Sequence, residues 1–288
     1  MCLVKQIVEN HTITRLDYTF SSLSPHLNQC LNDTHQYLID YPPPFSIMVK
    51  AVIFTDFDGT ITLQDSNDFL TDNYGFGLAV RKEIFKGVIS GAKSFRDGFT
   101  QMIDSIKPPY DECLRLLREN IHLDPGFKDT LEWAQKNGIP VVVVSSGMNP
   151  FIKALLEDLV GHEAIGKLDI VSNDMVVDKD GRIHVTYRDE SPHGHDKSRT
   201  IARYREQFES ELPEGSERPV YFYCGDGISD LSAAKECDLL FARKGKDLIT
   251  FCRRENVPYH EFESFADILR CMKDVLVGRT TVAELMEN

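Results

Sequence analysis

The stretch AVIFTDFDGTIT, residues 51–62, constrains the fold of this chain more than any other segment. Its apolar start is typical of a short strand buried on both faces of a parallel sheet. Asp56 and Asp58 follow at the end of that strand, and Gly59 allows a tight turn out of it. Two buried carboxylates need a neutralising cation, and at the carboxyl edge of such a sheet a hard ion such as Mg²⁺ suits them. Taken alone, the same residues also fit an acidic surface turn.

A second apolar run, residues 141–144, also predicts a buried strand. Ser145 and Ser146 follow it, and Asn149 with Pro150 marks a helix start. A strand, a small polar turn and a helix N-terminus together offer a hydroxyl and several backbone N–H groups to an anion. An ordinary strand-to-helix turn has the same composition, so this segment by itself leaves both interpretations open.

A third buried strand is predicted at residues 220–223 and continues into CGDGISD. This again places two carboxylates, Asp226 and Asp230, after a strand end, with Gly227 among the turn residues. Cys224 is interpreted as a small packing residue, because no histidine lies near it in the sequence to activate it as a nucleophile.

Lys197 stands at the start of an amphipathic helix. A lysine there opposes the helix dipole unless an anion lies nearby, which points to a role in anion binding. His193 and His195 precede it in a loop with Gly194. Two histidines in such a loop are expected to be solvated, so we do not assign them to the site.

The chain between the first two strands carries helical patterns and no strand pattern over residues 66–120. This insert predicts a lid over the site. The predicted helices cover residues 65–74, 78–89, 95–106, 110–120 and 126–137. We expect residues 1–47 to form a poorly packed N-terminal extension, with Met48 as a second translation start.

Composition excludes several classes of protein. The net charge of −13 argues against a nucleic-acid-binding surface. The seven cysteines are scattered without a CxxC pair, which favours a reducing compartment over a disulfide framework or a zinc site. No apolar stretch is long enough to span a membrane. We therefore expect a cytoplasmic protein, with the nucleus as an alternative.

In this order, the four segments resemble the motifs of the haloacid dehalogenase superfamily of phosphatases. DFDGT is similar to its first motif, the strand ending in Ser145 to its second, Lys197 to its third and GDGISD to its fourth. The resemblance covers residues 50 to about 275. Segments such as FRDGFTQM and CGDGISDLSAAKECDLLFARKG look closer still to the enol-phosphate phosphatase of methionine salvage and its fungal relatives.

The resemblance implies an α/β fold: a Rossmann-like parallel sheet with helices on both faces and a small α-helical cap inserted between the first and second motifs. The insert looks like the cap of the phosphoserine-phosphatase-like branch. The core domain would then comprise residues 48–65 and 138–288, and the cap residues 66–137.

The resemblance also implies a Mg²⁺-dependent phosphatase that works through an aspartyl-phosphate. Asp56 would attack phosphorus, and Asp58 would protonate the leaving alcohol and later deprotonate the attacking water. Mg²⁺ would be held by the side chain of Asp56, the backbone carbonyl of Asp58 and Asp226.

The remaining residues would bind the phosphate group or support those that do. The Ser145 hydroxyl, the Ser146 N–H and the Lys197 ammonium would hold the phosphate oxygens. Asp230 would orient a water at the ion or pair with Lys197, and Gly227 would support the turn.

Three positions bear on the substrate. Asp65 matches an acid that faces the substrate amine in phosphoserine phosphatases. Thr100 stands where those enzymes use a cap arginine to clamp the substrate carboxylate, and Arg96 lies nearby on a different helix face. The loss of this clamp favours a neutral, hydroxylated substrate: a polyol or sugar phosphate, or a methionine-salvage intermediate.

Three alternatives stay open at this point: a phosphoserine phosphatase, a phosphotransferase or mutase, and a non-catalytic binding protein on the same fold. The expected partner is a small-molecule phosphate ester, with no nucleic acid and no membrane. We expect a monomer or a homodimer.

Overall fold

The computed structural model describes residues 49–286, so the predicted N-terminal extension and the second start at Met48 lie outside the described residues. Seven strands form one sheet in the order β4-β3-β2-β1-β5-β6-β7, in which β3 and β4 pair antiparallel and all other neighbours are parallel. The strands are β1 (Ala51–Thr55), β2 (Val141–Met148), β3 (Asp169–Val177), β4 (Ile183–Thr186), β5 (Val220–Gly225), β6 (Leu239–Arg243) and β7 (His260–Phe262).

The apolar run of β1 arises because this strand lies at the centre of the sheet and is covered on both faces. Ala51 and Ile53 point into one hydrophobic cluster, and Val52 and Phe54 point into another. Successive side chains of a strand alternate between the two faces, so a doubly covered strand needs apolar residues at every position. The predicted α/β fold with a parallel sheet is confirmed.

Helices cover both faces of this sheet. The helices are α1 (Ser66–Tyr74), α2 (Leu78–Ile89), α3 (Phe95–Asp104), α4 (Tyr110–Asn120), α5 (Phe127–Lys136), α6 (Asn149–Val160), α7 (His162–Ile165), α8 (Lys197–Ser210), α9 (Asp247–Glu255), α10 (Phe265–Leu276) and α11 (Val282–Met286). Helices α8 and α9 contribute to the cluster that contains Phe54, whereas α5, α6 and α10 contribute to the cluster that contains Ile53. Among residues 49–286, no helix combines the length and the apolar character needed to cross a membrane.

The insert between β1 and β2 is helical, as predicted, and the ends of α1 to α5 fall within two residues of the expected positions. Helix α3 packs against β4, whereas α5 packs against α10 beside the sheet. Helix α5 falls within the predicted cap of residues 66–137, but it contacts a helix that covers the sheet. The boundaries between core and cap stay a prediction.

Candidate active site

Strand register brings the first and fourth motifs to the same edge of the sheet. Thr55, the last residue of β1, pairs with Val143 in β2 and with Cys224 in β5. Asp56 and Asp226 follow within two residues of those positions, and the backbone N–H of Asp56 donates to the carbonyl of Cys224 at 2.9 Å. The carboxyl ends of β1, β2 and β5 therefore build one site.

Three acids converge at this edge. Carboxylate oxygens of Asp56, Asp226 and Asp230 all lie within 4.8 Å of one another. Gly59 makes the approach possible, since it has φ +71° and a Cβ at that position would lie 2.1 Å from Oδ2 of Asp226. The turn after β1 therefore needs glycine at this position, so that Asp226 can lie against it.

Lys197, which opens α8, lies against this acid cluster and is fully buried. Its Nζ is 2.9 Å from Oδ2 of Asp56 and 2.7 Å from Oδ1 of Asp230. Burial alone lowers the pKa of Lys197, but the adjacent carboxylates of Asp230 and Asp56 outweigh it and raise that pKa. The ammonium stays charged and faces the site.

Asp230 is fully buried, and donors surround its carboxylate. Its Oδ1 accepts from Lys197 and from the hydroxyl of Tyr223 at 2.5 Å, and its Oδ2 accepts from the N–H groups of Asp226 and Gly227 at 2.9 Å each. Of the two roles expected for Asp230, this geometry favours pairing with Lys197. Sequence reasoning missed Tyr223, because the position of its hydroxyl is defined only by the packing of β5.

Asp58 is buried and held by the start of α1. Its Oδ1 accepts from the N–H of Ser66 at 2.7 Å, and its Oδ2 accepts from Nδ2 of Asn67 at 2.9 Å. Burial, followed by the charge of Asp65, raises the pKa of Asp58 well above its usual value. A raised pKa favours the protonated form of a carboxyl, which suits a general acid.

Asp65 caps α1, and its Oδ1 accepts from the N–H groups of Asn67 and Asp68 at 2.8 Å each. It also lines the pocket above the acid cluster. Its role toward the substrate stays a prediction, and its place as the N-terminal cap explains why an acid occurs just before this helix.

The end of β2 differs from the prediction. The strand does not end at Ser145 but continues to Met148, and its pairing with β3 is irregular between Val144 and Met148. Ser145 Oγ accepts from the N–H of Gly147 at 3.0 Å, and the buried Oγ of Ser146 has no hydrogen-bond partner among the described residues. Both serines line the pocket.

The interpretation of His195 as a solvated loop residue is wrong. Its side chain is 1% exposed, Nδ1 donates to the carbonyl of Ser145 at 2.7 Å, and Nε2 accepts from the hydroxyl of Thr200 at 2.9 Å. His193 is exposed, as expected. His195 thus connects the strand end at Ser145 to helix α8, which carries Lys197.

Asp56, Asp58, Asp226 and the two serines line a pocket of about 240 Å³. It is smaller than the ~300–1,000 Å³ that is common for sites of drug-sized ligands, so it suits a small substrate. Sequence reasoning missed four charged residues of its wall: Asp68, Arg81, Asp247 and Lys246. The Nζ of Lys246 lies 3.3 Å from Oδ2 of Asp226. The apolar part of the wall consists of Phe85, Ile89, Phe95, Phe99, Met102, Ile228 and Phe251.

The acid cluster fits a divalent cation. Burial raises the pKa of Asp56 to about 8 and the pKa of Asp226 to about 7, and in both cases the neighbouring carboxylates add to the rise. Lys197 and Lys246 therefore do not fully compensate the negative charge. A donor set made only of oxygens, with uncompensated charge, suits a hard ion such as Mg²⁺.

Comparison with known proteins places this geometry in context. The family described as haloacid dehalogenase-like hydrolase matches residues 53–235. The polyol phosphate phosphatase of Saccharomyces cerevisiae is 63% identical over 84% of this chain and 100% of its own length. The 2-hydroxy-3-keto-5-methylthiopentenyl-1-phosphate phosphatase of Bacillus cereus is 30% identical over 78% of this chain and 96% of its own.

A solved structure of phosphoserine phosphatase, with an analogue of its phospho-aspartyl intermediate, superposes with a TM-score of 0.57 at 21% identity. It covers 77% of this chain and 98% of that chain. At this level of identity the likeness concerns the fold alone.

Proposed function

The chain belongs to the haloacid dehalogenase-like hydrolases and is a phosphatase of that family, and from this premise we propose that its substrate is a small polyol phosphate monoester. One observation supports the chemistry above all others. Asp56 lies on the floor of a small pocket, 2.9 Å from a buried ammonium and next to the carboxyl of Asp58, whose pKa is raised. A nucleophile, a cation for the phosphate oxygens and a proton donor are thus adjacent.

The proposed reaction has two steps. An oxygen of Asp56 forms a bond to phosphorus while the bond from phosphorus to the substrate oxygen breaks, and Asp58 gives its proton to the leaving alkoxide. In the second step a water attacks the phosphorus of the aspartyl-phosphate, Asp58 takes the proton of that water, and the carboxylate of Asp56 is released with inorganic phosphate.

Phosphate binding falls to the second and third motifs. The Lys197 ammonium and the hydroxyl of Ser145, together with the N–H of Ser146, would hold the transferring oxygens. Asp230 would fix the position of Lys197, which it contacts at 2.7 Å. Mg²⁺ would be held by Asp56, Asp226 and the carbonyl of Asp58, and when bound it would neutralise charge on the phosphate.

The polyol assignment rests on the yeast relative and on the cap. Neither Thr100, which replaces the clamping arginine, nor the nearby Arg96 lines the pocket. Thr100 Oγ1 is 2.8 Å from the hydroxyl of Tyr187, and Arg96 donates to the carbonyl of Asp189 at 3.0 Å. A substrate carboxylate would find neither of them, which speaks against phosphoserine. A methionine-salvage phosphate is the second candidate, because the Bacillus cereus relative is named for one.

A substrate panel tests this proposal. The purified protein is assayed with Mg²⁺ against glycerol 3-phosphate, sorbitol 6-phosphate, phosphoserine and ethyl phosphate, with release of inorganic phosphate as the readout. We expect the highest kcat/KM for the polyol phosphates. A preference for phosphoserine would contradict the proposal, and transfer of the phosphoryl group without release of free phosphate would favour the mutase alternative.

The covalent mechanism has its own test. Asp56→Asn keeps the shape of the side chain, so the variant should fold, but it removes the nucleophile and should lower kcat by about a thousandfold or more. Turnover retained in that variant would contradict the aspartyl-phosphate and would leave the metal as the source of the nucleophile. Cytoplasmic or nuclear localisation and a monomeric or homodimeric state stay predictions.

A further inference from the structure

We propose that Asp68 recognises a hydroxyl group at the end of the substrate remote from the phosphate, with Arg81 and Asp72 holding it in place. This inference rests on the proposed function and names a specificity-determining residue for it. Asp68 lies in the first turn of α1, in the cap-side wall of the pocket.

Each nitrogen of the Arg81 guanidinium has a carboxylate partner. Its Nε and one NH2 group donate to the two carboxylate oxygens of Asp72 at 2.7 Å each, and its NH1 lies 2.5 Å from Oδ2 of Asp68. A bidentate Arg–carboxylate pair fixes the plane of the guanidinium. Arg81 therefore lines the pocket without offering a fork to a substrate carboxylate, and it holds Asp68 in one orientation.

The second oxygen of Asp68 remains available. Among the described residues, its Oδ1 accepts no hydrogen bond, although the side chain is only 32% exposed and borders the pocket. This partly exposed oxygen borders the pocket, so a ligand hydroxyl would bond to it in place of water. Burial, followed by the charge of Asp65, raises the pKa of Asp68 to about 8. The group can thus accept from or donate to a hydroxyl, which is itself both donor and acceptor.

The position of Asp68 suits the remote end of a short polyol. The N–H of Asp68 donates to Oδ1 of the capping residue Asp65 at 2.8 Å, and both side chains line the pocket. Asp65 is the acid nearer to Asp58 and the reacting group. Another part of the wall, formed by Phe95, Phe99 and other apolar side chains of the helical insert, offers no hydrogen bond and would face the carbon chain.

The test compares substrates with and without remote hydroxyls. Wild type, Asp68→Ala and Asp68→Asn are assayed with sorbitol 6-phosphate and with ethyl phosphate. Asp68→Ala should lower kcat/KM for the polyol phosphate by about tenfold to a hundredfold, mainly through KM, because the substrate hydroxyl loses its hydrogen-bond partner in the pocket. Its kcat/KM for ethyl phosphate should stay within about twofold of wild type. Asp68→Asn can still pair with a hydroxyl and should keep most of the polyol activity.

Controls separate recognition from folding. Asp97→Ala removes an exposed acid from the first turn of α3, outside the pocket, and should change neither substrate. Asp68→Ser is a second truncation and should reproduce the substrate pattern of Asp68→Ala. An equal loss on both substrates, an unchanged polyol activity in Asp68→Ala, or an Asn variant as poor as the Ala variant would each overturn the role of Asp68.

The two proposals can fail separately. Wild type that does not prefer sorbitol 6-phosphate over ethyl phosphate refutes the polyol assignment before any variant is compared. If wild type shows that preference and the Asp68→Ala variant keeps it, the role of Asp68 is refuted and the polyol assignment stands.

Discussion

His195 shows how one buried side chain can join two parts of a site that the sequence presents separately. Its ring bridges the Ser145 carbonyl and the Thr200 hydroxyl. Sequence reasoning missed it because a histidine in a loop beside Gly194 has the local composition of a solvated turn. The tertiary contact with β2 comes from a strand about fifty residues earlier in the chain. Only that packing determines its burial.

The burial of His195 predicts a pH dependence of stability. Burial, partly opposed by the bond to Ser145, lowers the pKa of His195 to about 4; nearby Lys197 and Arg188 lower it further, and Asp189 opposes them. The unfolded state binds the proton near pH 6.5, so stability is lost as pH falls from 6.5 through 4, by as much as ~3 kcal/mol from this group. In urea unfolding between pH 7 and 4, the free energy of unfolding of His195→Asn should depend less on pH than that of wild type.

The exposed neighbour of His195 supplies the control for this measurement. His193→Asn removes a solvated histidine two residues away and should leave the pH profile of the free energy of unfolding as in wild type. A His195→Asn profile as steep as that of wild type would mean that other groups carry the acid sensitivity.

Gly59 makes a second prediction at the residue scale. Gly59→Ala should cost about 1–2 kcal/mol of stability for the left-handed backbone and should also lower kcat by about a hundredfold or more, because its Cβ would displace Asp226. Gly138→Ala is the matched control: Gly138 has φ +64°, and a Cβ at that position would meet no heavy atom within 4 Å, so only stability should fall. Phosphatase assays and urea unfolding of both variants distinguish backbone strain from displacement of Asp226. Equal kcat values for Gly59→Ala and Gly138→Ala would show that Gly59 does not act through Asp226.

At the scale of elements, the sequence predicted what local chemistry determines. Asp65 and Ser94 accept hydrogen bonds from the first N–H groups of α1 and α3. Residues of this type are favoured at helix starts, which is why the sequence predicts where helices begin. The short strand β7 was missed, because a three-residue edge strand carries too little pattern. Arg81 and Asp68 were missed because the sequence does not distinguish charged residues that line a pocket from charged residues on a solvated helix face.

Contacts between the cap helix α3 and the loop after β4 define a further prediction. The hydroxyl of Tyr187 donates to the carbonyl of Arg96 at 2.7 Å and lies 2.8 Å from Oγ1 of Thr100. Tyr187→Phe removes these bonds, worth about 1 kcal/mol, and should accelerate hydrogen exchange of α3 amides about fivefold. Tyr110→Phe, whose hydroxyl has no hydrogen bond among the described residues, should leave exchange in α3 unchanged. Equal protection in both variants would show that the loop does not hold the cap.

At the scale of the whole molecule, the order of the motifs carried most of the prediction. Parallel strands bring their carboxyl ends to one edge of the sheet. Acids at the ends of the paired strands β1 and β5 therefore lie close together, independently of the conformation of the segments that connect the strands. The net charge of −13 argued against a nucleic-acid partner, whose absence stays a prediction, and said nothing of the site. The substrate-facing wall could not be predicted, because it depends on how α1 and α2 pack across the strand ends.

The acid cluster couples the stability of the whole molecule to metal binding. Asp56, Asp226 and Asp230 bring like charges within 4.8 Å, so the folded state gains a favourable partner when a divalent cation binds there and the unfolded chain does not. Mg²⁺ at about a hundred times its Kd should stabilise the protein by ~2.7 kcal/mol, and chelation should reverse this.

Urea unfolding with and without Mg²⁺ measures this stabilisation, and variants assign it to the site. Asp226→Asn removes one carboxylate from the cluster and should abolish most of the stabilisation by Mg²⁺, whereas the exposed Asp97→Asn on α3 should retain all of it. Asp226→Asn should also be more stable than wild type without Mg²⁺, because it relieves repulsion among the buried acids. Equal stabilisation of both variants by Mg²⁺ would place the ion elsewhere on this acidic protein, and the proposed assignment of Asp56, Asp58 and Asp226 as its ligands would be wrong.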